Sequence, residues 1–188
     1  MIDANFRVCL DACVLASHSV CDLLLQLAEE RMLYTPVFSK AILKEAHRTH
    51  VDKLGWPKEL ADSFGKEIIR AFPESMVDGW ELVIPLLTNE EKDRHVLAAA
   101  IKGEAQLILT FNLKHFKKES LVPWDIRASH PQDYLITLYE MRPELVVAKL
   151  YDIANKRGDT PAQRLNVLNK VVPRFAEIVA EDQGWLLI

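Results

Sequence analysis

Four oxygen-bearing side chains stand where they are hard to explain as decoration: Asp11, Glu45, Asp93 and Asn112. Asp11 ends the apolar run Val8-Cys9-Leu10 and is followed at once by Ala12-Cys13-Val14-Leu15. A buried carboxylate in such company requires a partner or a metal. Asp93 opens the stretch Arg94-His95-Val96-Leu97-Ala98-Ala99-Ala100, Glu45 lies within residues 39–49, and Asn112 follows the apolar run 106–111. Magnesium and manganese prefer oxygen ligands and keep several waters. Asp11, Glu45 and Asp93 would supply three carboxylates, and Asn112 a neutral oxygen or a group that orients water. Each has a plainer reading. Asp93 could cap a helix, with the macrodipole favouring it, and Glu45 could be a solvated helix position.

Cations recur beside these acids. Lys40, Lys44, His47 and Arg48 surround Glu45 at helical spacing, Arg94 follows Asp93, and Lys114, His115, Lys117 and Lys118 follow Asn112. A carboxylate pocket rimmed by cations suits a phosphodiester: a metal neutralises the scissile phosphate and the rim holds its neighbours. The plainer alternative is that these charges keep the surface soluble. Other chemistries have less support. The six glycines never form Gly-x-Gly, which removes the usual phosphate cradles. No Gly-x-Ser-x-Gly is present. His47 and His50 could share a helix face, but no third zinc ligand accompanies them, and a solvated face is the simpler expectation.

The elements that must carry these residues follow from hydrophobic pattern. Residues 7–15 read as one strand, a continuous apolar run of the kind buried in a parallel sheet. A helix is expected over 19–30, an extended piece over 33–37, and a helix from Ser39 as N-cap to His50. Gly55-Trp56-Pro57 is a break, 58–72 a helix stopped by Pro73, 81–85 a short strand, and 93–102 an Ala-rich helix ended by Gly103 as its C-terminal cap. Residues 106–111 form a second buried strand. The alternation predicts the α/β class, a small parallel sheet flanked by helices. Ligands in such sheets bind off the carboxyl ends of strands, where Asp11 and Asn112 are expected. From about 131 to 182 the chain reads as successive helices, with Pro131, Pro143 and Pro161 at helix starts and Thr160 as an N-cap.

Length and composition set the outer bounds. The chain has 188 residues, 49% of them hydrophobic and 27% charged, with a net charge of −4. That is enough for one ordinary domain and an appendage, and any nucleic-acid partner must be drawn by local patches. No apolar run reaches about 18 residues, so no membrane span is expected. The head of the chain, with Asp3 and Arg7, lacks the body of a signal peptide. Three cysteines without a Cys-x-x-Cys pair predict reduced thiols and a cytoplasmic location. The local cations Lys149, Lys156, Arg157, Arg164, Lys170 and Arg174 make the tail a possible extension of an RNA platform, and the apolar end 185–188 is expected to be buried, within the chain or across a dimer.

Four segments together carry a resemblance: Leu10-Asp11-Ala12-Cys13-Val14-Leu15, Ile42-Leu43-Lys44-Glu45, Asp93–Ala100, and Ile108-Leu109-Thr110-Phe111-Asn112-Leu113-Lys114-His115-Phe116. In this order they resemble the PIN-domain nucleases, most closely the VapC-like toxins with a helical C-terminal extension. The resemblance implies a PIN-like three-layer sandwich over residues 5–136, followed by C-terminal helices over 137–188. It implies an Mg²⁺- or Mn²⁺-dependent endoribonuclease, the toxin of a type II toxin–antitoxin pair, leaving 5′-phosphate and 3′-hydroxyl ends. An RNA substrate, a small VapB-like antitoxin and a homodimer come with it.

Asp11, Glu45 and Asp93 match the family's acids and its metal ligands. Asn112 matches a position that is Asp or Asn, and Thr110 matches a small hydroxyl residue at the end of the last core strand. Lys44, Arg94 and Lys114 flank the site on the substrate side, while His95 matches the pattern without an assigned role. His115 departs, standing where Asp is common. That departure supports one alternative, an inactive PIN-like module that binds RNA or protein. A structure-selective DNA nuclease is the other, since the same acids would serve it.

Overall fold

Strand β1 (Arg7–Leu10) is central because its side chains are apolar on both faces. The computed structural model describes residues 6–29 and 33–187; the expected domain start at residue 5, the helix end at Glu30 and the terminal Ile188 lie outside them. The expected strand over 7–15 is broken at Asp11. Beyond Leu10 the ladder ends with Asp11 N on Leu109 O, and the backbone groups that follow are satisfied by a turn of helix, α1 (Ala12–Ala16). Val14 N and Leu15 N donate to the Asp11 carbonyl at 2.9 and 3.2 Å.

The chain then runs through α2 (His18–Glu29), β2 (Thr35–Ser39), α3 (Lys40–Asp52), α4 (Lys58–Ala71) and β3 (Met76–Val77). It continues through α5 (Arg94–Lys102), β4 (Leu107–Leu109), α6 (Lys118–Leu121) and β5 (Arg127–Ser129). Helices α7 (Pro131–Met141), α8 (Pro143–Arg157), α9 (Pro161–Asn169) and α10 (Pro173–Gln183) complete it. Ser39 caps α3 as expected, its hydroxyl accepting from Ile42 N. Pro begins each of α7–α10, where its missing N–H costs nothing. Thr160 and Gln163 form a reciprocal capping box on α9.

The five strands are parallel, in the order β3-β2-β1-β4-β5. Cys9 is level with Val37 on one side and Ile108 on the other, and Leu10 pairs with Leu109. From β1 the chain builds outward through β2 and β3, then returns to build β4 and β5. With right-handed crossovers this places connecting helices on both faces and opens a crevice at the β1/β4 carboxyl edge. The architecture is the α/β sandwich expected from the PIN-like pattern.

Two elements differ from expectation. Residues 81–85 are not a strand; Trp80–Leu86 is a 3-10 helix packed on α5, and the edge strand lies earlier, at Met76–Val77. Packing on α5 overrides the β propensity of Val83 and Ile84. The strand β5 was not expected, since three residues beginning with Arg127 carry too little pattern to be seen.

Gly103 ends α5, but not through a left-handed backbone. Its φ is −87°, and the following Glu104 takes the positive φ of 51°. The glycine is required by close approach: a Cβ there would stand 2.4 Å from Val37 Cγ1 and 3.1 Å from Val77 Cγ1. Gly103→Ala is therefore expected to push α5 from β2 and β3 and lower stability by about 1–3 kcal/mol, read by urea unfolding. An unchanged midpoint would mean that Val37 yields freely.

Helices α7–α10 share the main hydrophobic core. Val146 and Leu150 of α8 are buried, α8 packs against α2, and Tyr139 meets Phe175 edge-on at 6.4 Å. Helix α7 runs through the expected 136/137 division. Of the apolar end, Trp185 is partly buried against Tyr151, whereas Leu186 is exposed. His50 corrects the solvated-face reading: it is fully buried, stacked on Trp56 at 4.0 Å and edge-on to Phe64. All three cysteines are free thiols. Among the described residues no helix is long and apolar enough to cross a membrane.

Candidate active site

The pairing of Leu10 with Leu109 brings the next residue of each strand, Asp11 and Thr110, together at the carboxyl edge. Asp11 N donates to Leu109 O at 3.0 Å. The Asp11 side chain is buried and does not cap α1. Its Oδ2 instead accepts from the Thr110 hydroxyl at 2.6 Å and the Cys13 thiol at 3.1 Å. Thr110 Oγ1 accepts in turn from Asn112 N at 2.9 Å, and Cys13 Sγ from Phe111 N at 3.3 Å. The turn after β4 thus holds one oxygen of Asp11 through two side chains and leaves Oδ1 outside that network. The carboxamide of Asn112 makes no hydrogen bond among the described residues.

Asp93 occupies the N-cap position of α5, yet its side chain does not cap the helix. Oδ2 lies 3.0 Å from His115 Nδ1, at ion-pair distance but without hydrogen-bond alignment. The capping alternative therefore does not account for this acid. Burial pushes its carboxyl above the ordinary range; His115 opposes the shift, and the charges of Asp11 and Glu45 add to it.

Glu45, on α3, places Oε2 3.0 Å from His95 Nε2. This contact holds its carboxyl below the ordinary range against an opposing effect of burial. For His95, burial works against the charged ring, but Glu45 outweighs it and the ring titrates above the usual histidine value. The Lys92 carbonyl lies 2.9 Å from His95 Nδ1, and the charge of Asp11 also reaches the ring. The three acids, drawn from β1, α3 and the start of α5, therefore share one electrostatic neighbourhood.

The other expected residues divide. Lys114 follows Asn112 into an exposed 3-10 turn, Leu113–His115. Arg94 donates through Nε to the Asn89 carbonyl at 3.3 Å and so braces the turn before Asp93. Lys44 lines the groove between α3 and α4 together with His47 and Asp62, which meet at 2.8 Å. Two residues were given no role in the site from sequence, Cys13, which donates to Asp11, and His95, which faces Glu45; His115, counted there among the rim cations, faces Asp93. Their spacing held a signal, since His95 follows Asp93 by two positions and His115 follows Asn112 by three.

Among the described residues, no three His, Cys, Asp or Glu side chains form a ready-made ion cage. In kind, the donors fit a hard divalent cation: three carboxylates, with a buried Asp93 oxygen that lacks a hydrogen bond.

No protein-family model matches the chain, nor does any solved structure. A protein of Mycobacterium tuberculosis (strain ATCC 25618 / H37Rv), named "Putative ribonuclease VapC50", is 36% identical over 132 residues. The matched region covers 69% of this chain and 76% of that protein. With a five-stranded parallel sheet flanked by helices, and with that identity over more than two thirds of both chains, this chain belongs to the VapC family of PIN-domain proteins.

Proposed function

We propose that the protein is a metal-dependent endoribonuclease, the toxin of a type II toxin–antitoxin pair, acting on RNA in the cytoplasm. The observation that carries this reading is the buried Asp11, set beside Thr110 at the carboxyl edge of β1 and β4 and close enough to Asp93, as Glu45 is, for its charge to bear on that carboxyl. The name of the mycobacterial relative supports the ribonuclease activity. A VapB-like antitoxin and a second copy of the chain are the partners this reading includes.

Asp11, Asp93 and Glu45 would hold Mg²⁺ or Mn²⁺. When bound, such an ion supplies charge neutralisation at the scissile phosphate and an acidified water. Thr110 and Cys13 orient Asp11, so its presentation costs little rearrangement. Glu45, whose carboxyl is held below the ordinary range, would complete the acidic shell and orient the attacking water. His95 and His115 lie against Glu45 and Asp93 at 3.0 Å each, and Asn112 contributes an unengaged carboxamide at the same edge. Lys114 lies where flanking phosphates would be met.

The test is an Mn²⁺ titration against mixed single-stranded RNA, with folded RNA and flap DNA in parallel and Asp93→Ala as control. Mn²⁺-dependent cuts in RNA that vanish in Asp93→Ala are expected. RNA binding without cleavage at any Mn²⁺ concentration would instead identify a binding module, and preferential flap cleavage a DNA nuclease.

A further inference from the structure

The C-terminal helices meet the rest of the chain at one polar corner. Both α8 and α9 pack on α2, and α2 opens with His18. Arg157 is the last residue of α8, where the left-handed Gly158, at a φ of 71°, turns the chain toward α9. Arg157 Nη2 reaches across this interface and lies 2.9 Å from His18 Nε2 and 3.0 Å from Asp22 Oδ2.

The chemistry of that contact fixes a protonation state. A guanidinium only donates, so Nε2 of His18 accepts and the ring is neutral, with its proton on Nδ1. Both hydrogens of Nη2 are then used, one on His18 and one on Asp22. A proton on Nε2 would remove the acceptor and set two cations 2.9 Å apart. Burial, and then the charge of Arg157, hold His18 below the ordinary histidine value; Asp22 opposes them, and Arg164 adds to the depression. Arg164 is itself engaged with Asp159 at 2.8 Å. Trp56 meets His18 edge-on at 5.7 Å and stacks on His50 at 4.0 Å. His50 is fully buried, and burial, His18 and His47 keep it low as well, against a smaller pull from the Leu15 main chain. Of these groups, only Asp22 favours a charged His18.

A cavity of about 330 Å³ lies in the same corner, lined by His18, Asp22, Trp56, Arg157 and Arg164 and by apolar residues of α8 and α9. The close packing that would resist opening is therefore incomplete there.

We propose that His18 and Arg157 form an acid-sensitive latch: neutral His18 ties the α8–α9 corner to α2, and uptake of one proton loosens it. The device holds whatever reaction the acids of the active site perform. Linkage gives the direction. The docked ring titrates below its free value of about 6.5, so the open corner binds more protons. Docking is at full strength well above that value and weakens as the pH falls from it toward the docked one.

The test is hydrogen–deuterium exchange of the full chain, read by mass spectrometry near pH 6.5 and near pH 5.5 and corrected for the unstructured rate at each. Protection over residues 155–171 is expected to fall by about 5-fold across this interval, with no comparable loss over β1 and β4. His18→Gln, whose carbonyl oxygen can accept from Arg157 but takes up no proton, is expected to keep protection there within about 2-fold. The His18 ring, followed by proton NMR, should titrate below about 6.5 in the native chain and move back toward that value in Arg157→Gln. This second measurement serves if His18→Gln fails to fold. A native His18 midpoint at the ordinary value overturns the proposal, as does a loss of protection that is equal in the native chain and His18→Gln.

Discussion

Asp11→Asn will leave a folded protein whose metal-free melting temperature equals or exceeds that of the native chain, while RNA cleavage falls by roughly 10³-fold or more. The two halves of this result have one cause. Without a cation, Asp11, Glu45 and Asp93 repel one another, and the repulsion is visible in the Asp93 carboxyl, which the charges of Asp11 and Glu45 help hold above its ordinary range. Removing the charge at Asp11 relieves that repulsion. An Asn carboxamide oxygen can still accept from the Thr110 hydroxyl and the Cys13 thiol, so the clamp on residue 11 survives. What is lost is an anionic ligand for a divalent cation. The same logic fixes the response to metal. At about 100 times its dissociation constant, Mn²⁺ should stabilise the native protein by about 2.7 kcal/mol. For a chain of this size that corresponds to a rise of about 5–10 °C in Tm, with a much smaller rise in Asp11→Asn. A variant that is clearly less stable without metal yet still cleaves RNA would falsify the assignment of Asp11.

The second large effect concerns the thiols. In the folded, metal-free protein Cys13 is pushed up to about 12, first by burial and then by the Asp11 charge. Cys9 and Cys21 are pushed higher still, chiefly by complete burial. The reactive species is the thiolate. Against an ordinary thiol, a shift of this size cuts the thiolate fraction near pH 8 by about 10³-fold. All three cysteines are therefore expected to resist iodoacetamide in native protein and to react promptly in urea, as counted by mass spectrometry. Asp11→Asn removes one of the causes at Cys13 and should quicken labelling there first. The sign for stability follows. Because the folded values lie above the unfolded ones, the thiols' contribution is complete below about pH 9 and declines as pH rises past it. Rapid alkylation of Cys13 in the native protein at pH 8 would contradict the clamp around Asp11.

Much of the architecture was legible from hydrophobic pattern, for identifiable reasons. The run Val8-Cys9-Leu10 and the run Leu107-Ile108-Leu109 are apolar on both faces, and in the structure these are the central strand β1 and its neighbour β4. The Ser39 cap, the break at Gly55-Trp56-Pro57 and the Pro-initiated helices follow from local backbone chemistry, which tertiary contacts rarely overrule. Where local chemistry was thin, the reading failed. β5 has three residues, one of them charged, and residues 81–85 have a strand-like composition but lie off the sheet against α5. Gly103 looked like a helix-terminating glycine; its backbone is ordinary, and the contact with Val37 is what excludes a side chain.

Residue types and their order along the chain singled out Asp11, Glu45, Asp93 and Asn112 as candidates, Asp11 most clearly because an acid beside an apolar strand is costly without a use, while Thr110 entered only through the family resemblance. Their partners were not readable in the same way. That Thr110 and Cys13 hold Asp11, and that His115 faces Asp93 and His95 faces Glu45, depend on which surfaces the crossovers bring face to face. Such pairings join positions up to 99 residues apart, so no local pattern encodes them. They exist only once the sheet has aligned Leu10 with Leu109 and folded α3 and α5 over its edge.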